Sequence, residues 1–185
     1  MFFLESLKLV NFRCYLNKVF NFSPNRNIIV GKNAVGKTSI VEAIHCLGVA
    51  KSFKAAKDID LITRDQSFYN IKGIFNNQGN ETLEIIVSYD SSDKRIIKNN
   101  QTYRNISDYL GFVNIVMFSP DDLELIKGSP AVRRRFIDQN IGQINKVYLR
   151  SLINYKKILK ERNEFLKINE YKKHDQSLLD VLTEA

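Results

Sequence analysis

Gly31-Lys32-Asn33-Ala34-Val35-Gly36-Lys37-Thr38 constrains this chain more than any other stretch, because it fits G-x-x-x-x-G-K-[ST] at every fixed position. The spacing has a physical cause. Two glycines let the backbone curl so that successive N–H groups point inward and hold the β- and γ-phosphates of a nucleotide. A helix starting directly after the second glycine presents free N–H groups and its positive dipole end to that anion. On this pattern the phosphates lie against the loop from Gly31, Lys32, Asn33, Ala34 and Val35 to Gly36, and against Ser39. Lys37 reaches the β/γ oxygens, and the Thr38 hydroxyl takes a place on Mg²⁺. The alternative is a Gly-bounded turn entering an ordinary helix, but a chance match in a chain this long is roughly a 1% event. The flanks agree with the motif. Ile28-Ile29-Val30 reads as a short buried strand, and Ser39 to Leu47 as a helix with apolar residues 40, 41, 44 and 47 on one stripe.

Composition narrows the partners. With 44% hydrophobic and 26% charged residues, the 185-residue chain builds a globular core and is not disordered. A net charge of +8 favours a polyanion, nucleic acid first and anionic membrane second. Cys14 and Cys46 make neither a disulfide framework nor a metal site, which points to a reducing, cytoplasmic compartment. No apolar run approaches 18 residues, and Glu5 and Lys8 interrupt the N-terminal stretch. It therefore reads as neither signal peptide nor membrane span.

Strands are expected over Phe2–Phe12 and Val19–Phe22, the latter closed by the turn Ser23-Pro24-Asn25. Phe68–Phe75, Thr82–Tyr89 and Lys94–Lys98 form an antiparallel meander joined by Asn- and Ser-rich turns. Gly111 to Phe118 reads as a fully buried strand. From Asp121 the pattern turns helical, with Ser129 as N-cap and Pro130 at the first helical position. A long amphipathic pattern from Ile144 to Leu166 resembles a short coiled-coil seam, Tyr171–Asp175 interrupts it, and Ser177–Leu182 begins another helix.

The basic loop Ala50–Asp58, with Lys51, Lys54 and Lys57 around Phe53, is either a solvated connection or a strip of cations beside phosphates or a nucleic-acid backbone. Arg133-Arg134-Arg135 has three open readings: a solvated helix face, a nucleic-acid contact, or an internal ion-pair network. Consecutive arginines span about 200° of a helix, so all three do not serve one partner. Hydrolysis needs a second acid for Mg²⁺. Asp90 leads into a turn, and Asp121-Asp122 after Pro120 look like a helix-capping start, so neither fits well. Gln143, in Ile141-Gly142-Gln143, echoes a transporter signature only by accident. His45 and His174 lack partners at metal-ligand spacing and read as structural.

Several blocks together resemble the RecF recombination-repair ATPases. They are Leu7-x-Leu9-x-Asn11-Phe12-Arg13-x-Tyr15, the loop at 31–38, Glu42-Ala43-Ile44, Ala50-Lys51-Ser52 and Asp58-x-Asp60-Leu61-Ile62. The most specific are Phe118-x-Pro120-x-Asp122-Leu123, Lys127-Gly128-Ser129-Pro130 and Arg133–Asp138. That family is similar to the structural-maintenance-of-chromosomes (SMC) class. The resemblance implies an α/β, ABC/SMC-like P-loop head of antiparallel hairpins and a P-loop sheet over 1–128, followed by the start of a helical lobe over 129–185. It implies ATP and Mg²⁺ as cofactors, with Arg13 and Lys54 as outer phosphate contacts. An ATP-dependent homodimer on single-stranded and gapped duplex DNA, acting with RecO- and RecR-type mediators in gap repair, replication and the SOS response to DNA damage, is implied as well. Lys51, Lys57, Arg133, Arg134 and Arg135 are then DNA-contact candidates.

Three departures qualify this. Val35 stands where the family often has glutamine. Lys54 stands where it often has arginine, supplying charge without a bidentate fork. The family's signature motif, acidic strand and final loop lie beyond Ala185, so little or no hydrolysis is expected from this chain alone. A P-loop nucleotide kinase or transferase, and a non-catalytic module stabilised by ATP, are the rival readings. DNA-structure preference and ATP against GTP stay open.

Overall fold

Alternation with a period of two builds the sheet. In the computed structural model, which describes residues 2–168 apart from 78 and 80, strand β1 (Phe3–Phe12) turns Leu7, Leu9 and Asn11 inward. Strand β3 (Phe68–Asn76) buries Tyr69, Ile71, Gly73 and Phe75, and β4 (Thr82–Asp90) buries Leu83, Ile85 and Val87. With β2 (Tyr15–Asn21), β5 (Asp93–Lys98) and β6 (Gln101–Tyr103) they form one antiparallel sheet in the order β2-β1-β3-β4-β5-β6. Helix α1 (Lys37–Val49) covers the buried face. Ile40, Ala43, Cys46 and Leu47 enter the core there. Each large side chain so buried contributes on the order of 1.5–3 kcal/mol. Helix and sheet approach closely at β3, where a Cβ added to Gly73 would collide with Leu47.

The buried stripe of α1 is rotated from the expected one. Val41 is 40% exposed, whereas Ala43 and Cys46 are buried and Glu42 is 1% exposed. Small residues allow close packing on the sheet, so Ala43 and Cys46 take the inner line that larger residues were expected to fill.

Two expected buried strands are corrected. Ile28–Val30 has no strand partner among the described residues, with Ile28 and Val30 78% and 82% exposed. Gly111–Phe118 likewise forms no strand; Val116 and Phe118 are exposed, and Ile115 reaches α1 beside Gly48. A strand apolar on both faces is buried only when neighbours flank and cover it. None of the six strands does so here. Between them, helix α2 (Ile106–Tyr109) carries Tyr109, whose hydroxyl donates to the Leu47 carbonyl and ties this segment to α1.

The first compact unit is Met1–Phe118 and the second begins at Ser119. The expected boundary at 128/129 lies about ten residues later and left Pro120–Lys127 with the first unit. Those residues instead form a 3-10 turn and helix α3 (Glu124–Lys127), which packs on α4 (Pro130–Ile144) of the second unit. Ser119 N–H donates to Asp122 Oδ2 at 2.5 Å, in line with a helix-start role for Asp122. After Asn145, helix α5 (Lys146–Ile168) folds back along α4, where Tyr148 hydroxyl donates to Asp138 Oδ1 at 2.6 Å. The expected seam is only partly packed: Tyr148 and Leu152 are half-buried, Val147, Tyr155 and Leu159 are exposed, and Leu149, off the expected pattern, is buried. The break at Tyr171–Asp175, with His174, and the helix expected at Ser177–Leu182 lie outside the described residues.

Candidate nucleotide site

The hairpin between β1 and β2 is a two-residue connection, Arg13-Cys14, with Phe12 opposite Tyr15. Positive φ at Arg13 (55°) gives the turn the hand that matches strand twist. This turn forms one wall of a cleft of about 610 Å³, and the start of α1 forms another. The lining comprises Arg13, Cys14, Asn33, Ala34, Gly36, Lys37, Thr38, Ser39, Lys54, Asp60 and Ile62. Eight of the eleven residues expected at the nucleotide are therefore together. Gly31, Lys32 and Val35 support the cleft from outside its lining. Lys37 Nζ donates to the carbonyls of Gly31 (2.8 Å) and Lys32 (2.6 Å), and the Tyr15 hydroxyl donates to that of Val35 (3.3 Å).

The residues fit an anionic ligand. Gly36 caps α1 in the left-handed conformation (φ 95°), no side chain bonds the helix start, and no acid lies in its first turn. The N–H groups of that first turn have no intrahelical acceptor. No acid of the helix's own first turn offsets the positive end of the dipole. A Cβ at Gly36 would lie 2.5 Å from Cys14 Sγ and 2.6 Å from the Tyr15 hydroxyl, so the loop needs glycine for space as well as for φ. A triphosphate would meet these amides and Lys37, and Thr38 would offer its hydroxyl to a divalent cation. Among the described residues no group of three or more His, Cys, Asp or Glu could hold a metal unaided. A Mg²⁺ here would rely on phosphate oxygens and water besides Thr38.

Beside the cleft lies an ionic network that the motif does not contain. Arg13 donates from Nε and Nη2 to the two carboxylate oxygens of Glu42, at 2.9 and 2.8 Å, and from Nη1 to the Asp60 carbonyl at 2.8 Å. Ser52 Oγ donates to Glu42 Oε1 at 2.5 Å and accepts the N–H groups of Lys54 (2.8 Å) and Ala55 (2.7 Å). Burial pushes the Glu42 carboxyl up, but the hydrogen bonds from Arg13 and Ser52 outweigh it and hold the group below its ordinary range. The Glu42 hydrogen bond in turn raises the Arg13 guanidinium above its ordinary value.

This has a pH signature. Arg13 from the β1–β2 turn, Lys54 from the following loop, and His45 and Cys46 one turn along α1 are ionisable groups facing Glu42. A depressed carboxyl stabilises the fold fully above its ordinary value of 4.5, and that stabilisation is lost as pH falls through the depressed folded value. Wild-type protein is expected to melt higher than Glu42→Gln at neutral pH. Thermal scans between about pH 6 and pH 2 should show that gap close toward the acid end.

Other expected residues are engaged elsewhere. Lys51 and Lys57 do not line the cleft; the Lys51 carbonyl pairs with His45 Nδ1 at 2.8 Å, and Lys57 N–H donates to Asp60 Oδ2 at 3.3 Å. Burial pushes the His45 imidazole below its ordinary value. Arg133, Arg134 and Arg135 are exposed on α4 of the second unit. Arg133 Nη1 lies 3.1 Å from the Gly128 carbonyl and 3.3 Å from that of Leu125, holding the carbonyl end of α3. Asp90 pairs with Arg95 at 3.4 Å on β5. Cys46 is buried in the core and its thiol is pushed up to about 12, whereas Cys14 is exposed at the cleft. Glu42, Ser52, Cys14, Asp60 and Ile62 carried no site role in the sequence reading. Two signals were available: Glu42 stands four residues, about one helical turn, after Thr38, and Glu42, Ser52, Asp60 and Ile62 all fall within the blocks that carry the family resemblance.

No described helix is long and apolar enough to cross a membrane. The chain matches the AAA ATPase domain family over residues 2–185. The DNA replication and repair protein RecF of Halalkalibacterium halodurans is 45% identical over 181 residues, which cover 98% of this chain and 48% of that protein. A solved structure described as the recombination mediator protein RecF-ATP in the RecFOR pathway superposes with a TM-score of 0.90 at 30% identity, over 98% of this chain and 49% of its own. A structure from work on ATP-driven dimerization and DNA-stimulated activation of SMC ATPases superposes at 0.61 with 25% identity, over 74% of this chain and 98% of its own. This chain thus spans about half the length of the RecF proteins it matches. A phosphate loop closed between an antiparallel hairpin and α1, on a fold shared with RecF and SMC ATPases, places the chain in the AAA ATPase domain family as a RecF-type member.

Proposed function

We propose that this chain is the nucleotide-holding part of an ATP-gated DNA-binding protein of gap repair and replication, and that ATP enters with Mg²⁺. The observation that carries this is the convergence of the loop amides, Lys37, Thr38 and Lys54 on one cleft at a helix start with no acid in its first turn. Lys37 then exchanges two neutral carbonyl acceptors for phosphate oxygens, a stronger charge-assisted pairing. Thr38 holds the cation beside them. Neither Asp90, paired with Arg95, nor Asp122, bonded to Ser119 N–H, offers a free acid for water activation. Efficient hydrolysis is assigned to the part of the relatives' length that this chain does not span, and with it ATP-dependent pairing of two copies. RecO- and RecR-type proteins are the proposed partners and the cytoplasm the proposed compartment, in keeping with an exposed free Cys14.

The net charge of +8 supports DNA as the polyanion, with Lys51, Lys57, Arg134 and Arg135 as exposed contact candidates. Arg133 is a weaker one, because its guanidinium already serves α3. The antiparallel meander and leading hairpin argue against a kinase, which builds its site on parallel βαβ units. Titration of fluorescent gapped duplex with ATP and Mg²⁺ tests the reading. Binding is expected to require ATP and to weaken steeply between about 50 and 200 mM salt, as released counterions dictate. Binding that is flat in salt, or indifferent to ATP, would overturn it.

A further inference from the structure

Arg13 was expected to reach the nucleotide phosphates, yet its fork is closed on the carboxylate of Glu42. That carboxylate is almost wholly buried and accepts from two segments far apart in sequence, the β1–β2 turn and the turn at Ser52. Both segments carry cleft residues. Arg13 itself holds a left-handed φ of 55°, which a non-glycine residue keeps only where surroundings enforce it. Here its N–H donates to the Leu61 carbonyl at 2.7 Å while its guanidinium bridges Glu42 and the Asp60 carbonyl, so backbone and side chain are both held. On the opposite side, Ser52 Oγ gathers the N–H groups of Lys54 and Ala55 into a tight turn while donating its own proton to Glu42.

We propose that Glu42 is a positioning residue of the nucleotide site: one buried carboxylate locks the Arg13 turn to the Ser52 turn, and so sets Lys54 on the wall of the phosphate cleft. The inference rests on the nucleotide reading of that cleft. Glu42 touches no phosphate in this scheme; it acts through Lys54, a single ammonium on a flexible stem that gains most from a fixed backbone. Arg13 becomes the strut rather than a phosphate ligand.

The test measures affinity for a non-hydrolysable ATP analogue with Mg²⁺ in Glu42→Gln, Ser52→Ala and Lys54→Ala, and in the doubles that combine each of the first two with Lys54→Ala. Glu42→Gln and Ser52→Ala are each expected to weaken binding by about 5- to 10-fold, and to add nothing once Lys54 is already alanine. A purely structural role predicts additive losses that follow melting temperature. If Glu42→Gln does not fold, Glu42→Asp with and without Lys54→Ala decides, because it keeps a carboxylate for Arg13 while shortening the reach to Ser52, whose own hydroxyl also bonds Lys54 directly. Full additivity, or unchanged affinity in the single variants while Lys37→Ala loses the analogue, overturns the positioning role and leaves the nucleotide site standing. Equal binding by wild type and Lys37→Ala removes the nucleotide site, and this inference with it.

Discussion

Replacing Lys37 with alanine is expected to weaken ATP binding by about 100-fold while leaving the melting temperature nearly unchanged. The size follows from the charge: a hydrogen bond to a charged partner is worth about 1.5–3 kcal/mol, and each 1.4 kcal/mol is tenfold in affinity. The ammonium already stands inside the loop, on the carbonyls of Gly31 and Lys32, so it reaches a phosphate without reorganising the chain. Those carbonyls are solvent-exposed and can turn to water when the lysine is removed, which is why the fold does not suffer. Isothermal titration with ATP and Mg²⁺, paired with a thermal melt, reads both quantities. Undiminished affinity would mean that phosphates are not held where the motif requires.

The second large effect is expected at Gly36, and there fold and binding fall together. Alanine at this position must adopt φ near 95° and place a methyl against Cys14 Sγ and the Tyr15 ring. Backbone strain of about 1–3 kcal/mol adds to an overpacking cost of similar size. The protein can relax only by drawing the loop away from the β1–β2 hairpin, and that opens the amide cradle. Urea unfolding should show a loss of about 2–4 kcal/mol. ATP binding should drop below detection in the same sample. A companion Cys14→Ala change, which frees space on one side, should restore part of the stability but none of the φ cost. A Gly36→Ala protein as stable as wild type would mean that the hairpin does not back the loop.

These two positions were equally legible in the sequence. Both belong to a contiguous motif whose meaning is local: eight residues, two glycines and a helix start specify a cradle whatever surrounds them. The hairpins were legible for the same reason, since Leu7, Leu9, Ile71, Ile85 and Val87 alternate within their own strands. At Ile28–Val30 and Gly111–Phe118 the local pattern misleads. An apolar run states what a segment could bury, but burial needs a neighbour, and no described strand pairs with either.

Glu42 shows the limit from the other direction. A glutamate inside an amphipathic helix reads as part of the wet face, and the expected stripe at 40, 41, 44 and 47 left it there. The fold turned the helix so that Glu42 met Arg13, 29 residues earlier in the chain, and Ser52, ten residues later. No period or spacing encodes such a meeting, because it depends on how a β-turn and a loop stack against one helix. The sequence alone therefore determined the phosphate loop, the strand faces and the helix that follows, all products of neighbours along the chain. Tertiary structure alone decided which charges pair beside the loop, because a buried carboxylate survives only where distant donors converge to replace its lost water.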